Sequence, residues 1–155
     1  MRTKITVKSR LLELLEKNIQ QDFPSTASVD FEIRSVHKSM EEFLSPAFYL
    51  TPPMDTGAPN VIYINHGRQI SNLELFTTLA HEGFPGHLYQ TVYFGRQSPS
   101  HIRYLIDYSG YVEGWATYVE YLSYFFDNGL SPELQTLLMH NQAVTLGIHA
   151  LLDLE

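Results

Sequence analysis

The sequence predicts a mainly α-helical chain with a small β element, an α+β fold in a single domain over residues 1–155. Apolar residues recur at helical spacing toward both ends of the chain, within residues 8–21 and 131–155. Strand-like patterns are confined to two short runs, residues 29–36 and 61–65, which we expect to form a short antiparallel strand pair. A hydrophobic content of 44% with 17% charged residues indicates a globular chain that can bury a core.

The first predicted helix ends before Pro24, because the residue preceding a proline disfavours the α conformation. Its apolar face consists of Leu11, Leu12, Leu15 and Ile19. Residues 29–36 then alternate apolar and polar side chains, as a half-buried strand does. Residues 45–60 are rich in proline and predict a loop, and the β-branched run Val61–Asn65 predicts the second strand.

Two helices are predicted in the second half of the chain, before the last one. Ser71 and Glu74 form a capping box that opens the first of them. The next would run from Ser98–Pro99 to Asn128–Gly129, about 29 residues and roughly 45 Å, with a kink at Ser109–Gly110.

The last helix has a strong start signal and no stop signal. Ser131 supplies a capping hydroxyl, Pro132 suits the first helical position, and Glu133 lies near the positive end of the helix dipole. No glycine, asparagine or proline follows Leu154. We therefore expect this chain to be a portion of a longer protein.

Composition excludes several classes of function. The formal net charge of -7, without a run of lysine or arginine, argues against a nucleic-acid partner. The chain has no cysteine, so a metal would have to be held by His, Asp or Glu. No window approaches the roughly 20 apolar residues of a membrane span. No apolar segment follows the charges of Met1–Lys4, so the sequence shows no signal peptide and does not assign a cellular location.

The most informative sequence is His-Glu-Gly-Phe-Pro-Gly-His, which starts at His81. In the common zinc-binding helix a second histidine follows the first after four residues, but here Pro85 takes that position. On an ideal helix His87 would lie about 120° away from His81. We expect Pro85 and Gly86 to distort the helix into a bulge that returns His87 to the face of His81. Glu82 would then project toward a metal-bound water as general base.

Two carboxylates on the following long helix are further candidates. Glu113 and Glu120 are seven residues apart and share one helix face. Among apolar neighbours such groups are paired, metal-bound or at a wet edge. Because three protein ligands leave the open position that a catalytic zinc needs, Glu120 is expected to support a ligand or to be solvated.

The chain resembles the family called domain of unknown function 885, whose members are grouped with the gluzincin-type zinc metallopeptidases. The resemblance is carried by the motif from His81 to His87 followed by Gln90, and by the sequence Glu-Gly-Trp-Ala that starts at Glu113. Residues 48–65 are similar to the lead-in of the family motif.

The resemblance implies a zincin-like fold with two metal-binding helices and one zinc ion held by His81, His87 and Glu113. It also implies Glu82 as the catalytic base and zinc-dependent hydrolysis of a peptide bond as the activity. Family members are several hundred residues long, so the chain is expected to be a partial catalytic domain that lacks groups needed for turnover.

Other interpretations stay open at this point. The chain could be a non-catalytic helical module that binds metal or peptide, and it could form a homo-oligomer through exposed apolar surface. The Val61–Asn65 strand could offer a free edge to an extended peptide. The remaining histidines are expected to lie at the surface, in loops or in helix packing: His37, His66, His101, His140 and His149. The tyrosines are expected to be core and rim aromatics: Tyr104, Tyr108, Tyr111, Tyr118, Tyr121 and Tyr124.

Overall fold

The structure, a computed structural model, describes residues 2–26, 29–53, 58–106 and 108–154, with side chains from residue 10 onward. Within these ranges helices predominate and the strands form one small sheet. The predicted mainly α fold with a small β element is therefore confirmed.

Helix α1 spans Arg2–Ile19 and begins earlier than the sequence pattern predicts. Its predicted apolar face is buried, with Leu12 and Leu15 fully enclosed and Ile19 only 5% exposed. The chain leaves the helix just before Pro24, where the amide of Phe23 donates to the carbonyl of Ile19 at 3.0 Å. The helix ends before Pro24, as predicted, but it stops at Ile19 and residues 20–23 form a turn between them.

The sheet has three strands, β1 (Phe31–Ser35), β2 (Ala47–Leu50) and β3 (Asn60–Ile64), in the order β1–β3–β2. Strands β1 and β3, the two that the sequence predicts, run parallel, and β2 is the antiparallel partner of β3. The predicted antiparallel pairing of these two strands is therefore wrong. The prediction overlooked β2, a four-residue strand within the segment expected to be a loop.

The position of β3 also corrects the prediction about peptide binding. Because β3 lies between β1 and β2, the Val61–Asn65 strand has no free edge to offer to an extended peptide. The outer positions belong to β1 and β2, and the Phe48 ring of β2 stacks on Tyr63 of β3 with centroids 5.2 Å apart. Aromatic cross-strand pairs of this kind stabilise a short strand that has prolines near both ends.

Helices α2 (Asn72–Glu82) and α3 (His87–Arg96) follow the sheet. The capping box prediction is confirmed at the start of α2, where the amide of Glu74 donates to the hydroxyl of Ser71 at 3.1 Å. Helix α2 packs between α1 and the later helix that starts at Ser109. The side chains fully buried at the centre of the core come from α1, β3, α2, the α2–α3 turn and α3: Leu12, Leu15, Ile62, Ile64, Leu79, Phe84 and Leu88.

The predicted long helix is two helices, α4 (Ile102–Leu105) and α5 (Ser109–Ser123). The backbone is extended at Ile106, so the chain breaks fully where the sequence suggested only a kink. Ser109 and Gly110 at the start of α5 have low helix propensities, so they do not keep one helix continuous across this segment. At the other end, α5 stops at Ser123, five residues before the predicted end at Asn128–Gly129. The side-chain amide of Asn128 donates to the carbonyl of Tyr124 at 2.9 Å, and Gly129 takes a φ of 80°.

Helix α6 spans Pro132–Asp153, and Ser131 caps it as predicted, with the amide of Leu134 donating to its hydroxyl at 3.4 Å. No residue of α6 is buried. Apolar side chains are exposed along α6 and at the residue that follows it: Leu134, Leu137, Val144, Leu146, Ile148, Leu151, Leu152 and Leu154. Among the described residues, no helix combines the length and hydropathy that a membrane crossing requires.

Candidate metal centre

The histidine motif folds as a tight turn between two helices. Helix α2 ends at Glu82 and α3 begins at His87, with a cis peptide bond between Phe84 and Pro85. The prediction of a bulge within one continuous helix is therefore wrong in detail. Because Pro85 has no amide hydrogen to donate, the chain leaves the helix there and starts a new one.

Gly86 makes this turn possible through a close backbone approach. A Cβ at this position would lie 1.7 Å from the carbonyl oxygen of His81, so only glycine is accommodated. The turn is also tied to α5, because the indole of Trp115 donates to the carbonyl of Pro85 at 2.8 Å. These contacts bring His81 and His87 together, with ring centroids 4.8 Å apart and nearly perpendicular planes.

The two imidazoles face one carboxylate of α5. The Nε2 atom of His81 lies 3.5 Å from one oxygen of Glu113, and the Nε2 atom of His87 lies 3.5 Å from the other. With metal–ligand bonds near 2.1 Å, the ligand atoms of a tetrahedral zinc site lie about 3.4 Å from each other. Both nitrogen–oxygen distances are close to this spacing, although each involves a different oxygen of Glu113, whose side chain is 60% exposed.

Glu82 is a second carboxylate close to the histidines. Its oxygen, His81 and His87 each offer a ligand atom, and these atoms lie within 4.8 Å of one another. One oxygen of Glu82 accepts a hydrogen bond from the backbone amide of Tyr49 at 2.8 Å. Burial raises the pKa of Glu82 to about 6, although the Tyr49 amide and the charge of His81 oppose the shift. Glu82 is thus held from β2, whereas Glu113 faces both Nε2 atoms.

Glu120 lies on the other side of His81. Its carboxylate is 3.0 Å from the Nδ1 atom of His81, and its second oxygen accepts a hydrogen bond from the side-chain amide of Gln142 at 3.4 Å. The structure therefore places Glu120 at the nitrogen of His81 that points away from Glu113. This contact agrees with the expectation that Glu120 supports a ligand.

The two histidines have pKa values that depart in opposite directions. For His81, burial lowers the pKa. The hydrogen bond to Glu120 and the neighbouring carboxylates raise the pKa by a larger amount, so the net shift is upward. For His87, burial and the charge of His81 lower the pKa more than Glu113 raises it. The neutral imidazole that metal binding requires is therefore favoured more strongly at His87 than at His81.

Sequence reasoning missed two residues that contact the centre, Tyr49 and Gln142. Tyr49 acts through its backbone amide, which no side-chain pattern reveals, and it lies in the segment predicted as a loop. Gln142 lies on α6, which the sequence did not connect with the site. Its contact with Glu120 joins residues that are far apart in the sequence, so the spacing of residues could not reveal it.

The remaining histidines and tyrosines take varied positions in the fold. His66 contacts the hydroxyl of Ser35 at 3.1 Å, and His37 accepts a hydrogen bond from the amide of Ser39. His101 is exposed, as expected, but His140 and His149 are also exposed on α6, so their predicted role in helix packing is wrong. Of the six tyrosines, Tyr124 is buried in the core, and four are substantially exposed: Tyr104, Tyr108, Tyr111 and Tyr118.

Comparisons with known proteins connect this geometry to one family. The profile described as "Bacterial protein of unknown function (DUF885)" matches residues 6–153. The fold is similar to the crystal structure of a protein from Colwellia psychrerythraea designated a lipoprotein, with a TM-score of 0.69 and 25% identity over 79% of this chain. The present chain spans 22% of that protein. No curated protein matches the chain.

Proposed function

The chain belongs to the DUF885 family of bacterial proteins of unknown function, and from this membership and the geometry of the site we propose that it carries the metal centre of a zinc-dependent peptidase. His81, His87 and Glu113 would hold one zinc ion, and Glu82 would be the general base. The substrate would be a peptide.

One observation supports the proposal above all others. The Nε2 atoms of His81 and His87 face the two oxygens of Glu113 at the same distance, 3.5 Å. Two imidazoles and a carboxylate are also the ligand types of known catalytic zinc sites. Glu113 is preferred to Glu82 as the third ligand because the amide of Tyr49 already engages Glu82.

The residues divide the chemistry of hydrolysis between them. A bound zinc ion would polarise the scissile carbonyl and lower the pKa of water toward about 7. Glu82 would accept a proton from that water and deliver it to the leaving amine. A carboxyl with a pKa of about 6 suits this exchange, because it can both accept and release a proton near neutral pH. The Tyr49 amide would keep the carboxylate in place between the two transfers.

Metal content tests the ligand assignment. Atomic absorption should find one zinc per wild-type chain after dialysis, and a loss of zinc in His81→Ala, His87→Ala and Glu113→Ala. Glu133→Ala, on the exposed start of α6, serves as the matched carboxylate control and should keep its zinc. Full occupancy in all three ligand variants would overturn the proposed site.

Hydrolysis tests the role of Glu82. Cleavage of a mixed peptide library, followed by mass spectrometry, should fall by about a hundredfold or more in Glu82→Gln, while zinc content stays at the wild-type level. Equal cleavage by the wild type and Glu82→Gln would overturn the assignment of Glu82 as the general base.

A further inference from the structure

A large open groove lies along α3 and α5, the helices that carry His87 and Glu113. It has a volume of about 1350 Å³, and its lining also includes residues 51–53, 58 and 60 and residues of α4. The lining is rich in apolar and aromatic side chains but also has polar and basic ones: Asn60, Gln90, Phe94, His101, Arg103, Tyr104, Tyr108, Tyr111 and Val112. Sites for small molecules usually measure about 300–1,000 Å³, so this groove suits a longer ligand.

None of His81, Glu82, His87 and Glu113 lines the groove, but residues close to them along α3 and α5 do. Val112 directly precedes Glu113 on α5, and Gln90 lies one turn after His87 on α3. Tyr49 connects the two regions from the side of the sheet. Its backbone amide donates to Glu82, and its hydroxyl donates to Asn60, which lines the groove, at 2.7 Å. The groove therefore shares α3 and α5 with the candidate centre and is linked to Glu82 through Tyr49.

Gln90 contributes an amide without a partner. Its Nε2 atom is buried and has no hydrogen-bond partner among the described residues, although the residue itself lines the groove. A buried polar group in this state costs free energy until it finds an acceptor. The terminal torsion of glutamine turns easily, so the amide can rotate its N–H toward a bound ligand without breaking an existing bond of Nε2.

We propose that this groove binds the segment of an extended peptide next to the scissile bond, that it selects apolar and aromatic side chains, and that Gln90 donates to a main-chain carbonyl of that segment. This inference rests on the proposed peptidase function, which supplies the reason for a peptide at this place. Phe94 and the exposed tyrosines give the groove its preference, since they offer aromatic surface to the peptide.

Peptide binding provides a direct test that does not depend on turnover. The probe is a fluorescein-labelled hexapeptide of alanine, leucine and phenylalanine, measured by anisotropy on the Glu82→Gln chain with and without zinc. A matched peptide with serine in place of leucine and phenylalanine should bind at least tenfold more weakly. Equal affinity for the two peptides would overturn the proposed selectivity.

Gln90→Met separates hydrogen bonding from packing. Methionine keeps the length of the side chain and removes the amide, so the apolar peptide should bind about threefold to tenfold more weakly. The thermal midpoint of the free chain should not fall, because Nε2 has no partner to lose. Unchanged peptide affinity in this variant would remove Gln90 from the site.

A steric block tests the groove as a whole. Gly95 lies on α3, and a Cβ there would meet only the Tyr104 hydroxyl at 3.6 Å, so Gly95→Leu should fold and fill the groove. Gly147→Leu is the matched control, since a Cβ on that α6 glycine meets nothing within 4 Å. Gly95→Leu should weaken peptide binding at least tenfold, and Gly147→Leu should leave it unchanged.

The outcomes distinguish this proposal from the peptidase proposal. Selective peptide binding that Gly95→Leu abolishes, in a chain without zinc or hydrolysis, would support the groove and contradict the peptidase. Hydrolysis with an unchanged KM in both Gly95→Leu and Gln90→Met would contradict peptide binding in the groove. It would still agree with the proposed peptidase activity.

Discussion

At the scale of the residue, the two nitrogens of His81 have different neighbours. Nε2 faces Glu113, and Nδ1 contacts Glu120 at 3.0 Å. A carboxylate at the far nitrogen of a ligating imidazole fixes its tautomer and orientation and makes it a better metal donor. Glu120 is therefore expected to act on metal affinity through His81 as a positioning residue.

Replacing Glu120 should weaken zinc binding without preventing it. Competition with a chromophoric chelator should show an increase in Kd of about 10- to 100-fold in Glu120→Ala. Glu42→Ala, at an exposed site on the turn before β2, is the control and should match the wild type. A loss of zinc affinity only as large as that in the control would rule out a positioning role for Glu120.

The raised pKa of Glu82 predicts how the stability of the metal-free chain depends on pH. Folding raises this pKa from 4.5 to about 6, so the folded chain binds the proton more tightly than the unfolded chain. The stabilisation is complete below about pH 4.5 and is lost as the pH rises through 6, a change of about 2 kcal/mol. Urea unfolding in EDTA should show this loss for the wild type relative to Glu82→Gln. A free-energy difference between the two chains that is constant from pH 4 to 7 would contradict it.

At the scale of the element, the α2–α3 turn decides whether the two histidines meet. Gly86 lets the backbone pass His81 at a distance that excludes any side chain. In the common motif both histidines lie on one helix, four residues apart. Here His81 lies on α2 and His87 on α3, and the turn between the helices brings the two imidazoles together.

Gly86→Ala should destabilise the chain by about 2 kcal/mol or more, because the new Cβ would overlap the backbone of His81 and force the turn to move. Gly147→Ala should instead stabilise by about 0.5–1 kcal/mol, since that helical glycine has open space around it. Chemical denaturation of both variants measures the two changes. Equal stability of Gly86→Ala and the wild type would show that the turn tolerates a side chain.

The elements that could be predicted from the sequence are those with local signals. The capping residues correctly predicted the starts of α2 and α6, and the spacing of apolar residues correctly predicted the buried face of α1. Strand β2 was missed because four residues between prolines carry too little pattern. The motif correctly indicated which residues lie together in the structure. The turn at Pro85 could not be predicted in the same way, because residue spacing was interpreted on a straight helix.

At the scale of the whole molecule, α6 differs from the other helices. It joins the centre through Gln142 and leaves the apolar side chains along its length exposed. A helix that is apolar on most sides is normally covered by other protein. The structural similarity to a longer protein, of which this chain spans 22%, shows that this fold also occurs within larger chains.

Self-association therefore stays a prediction for the isolated chain. Multi-angle light scattering should give a mass above one protomer of 17.8 kDa at micromolar concentration. The double variant Leu137→Lys with Leu151→Lys should return the mass to one protomer, because both side chains are more than 60% exposed on α6. A wild-type mass of one protomer across the concentration range would count against an oligomer formed through this helix.

The contact between Tyr49 and Glu82 has a consequence for mutational tolerance. Since the donor is a main-chain amide, replacing the side chain at position 49 leaves the bond to the carboxylate intact. Proline alone removes the donor, and an outer strand such as β2 accepts proline where the amide points away from the sheet. A saturation scan of position 49 should therefore show its largest loss of peptide hydrolysis in Tyr49→Pro. Tyr49→Phe removes only the bond of the hydroxyl to Asn60 and should keep the bond to Glu82, because every amino acid except proline can supply the same main-chain donor.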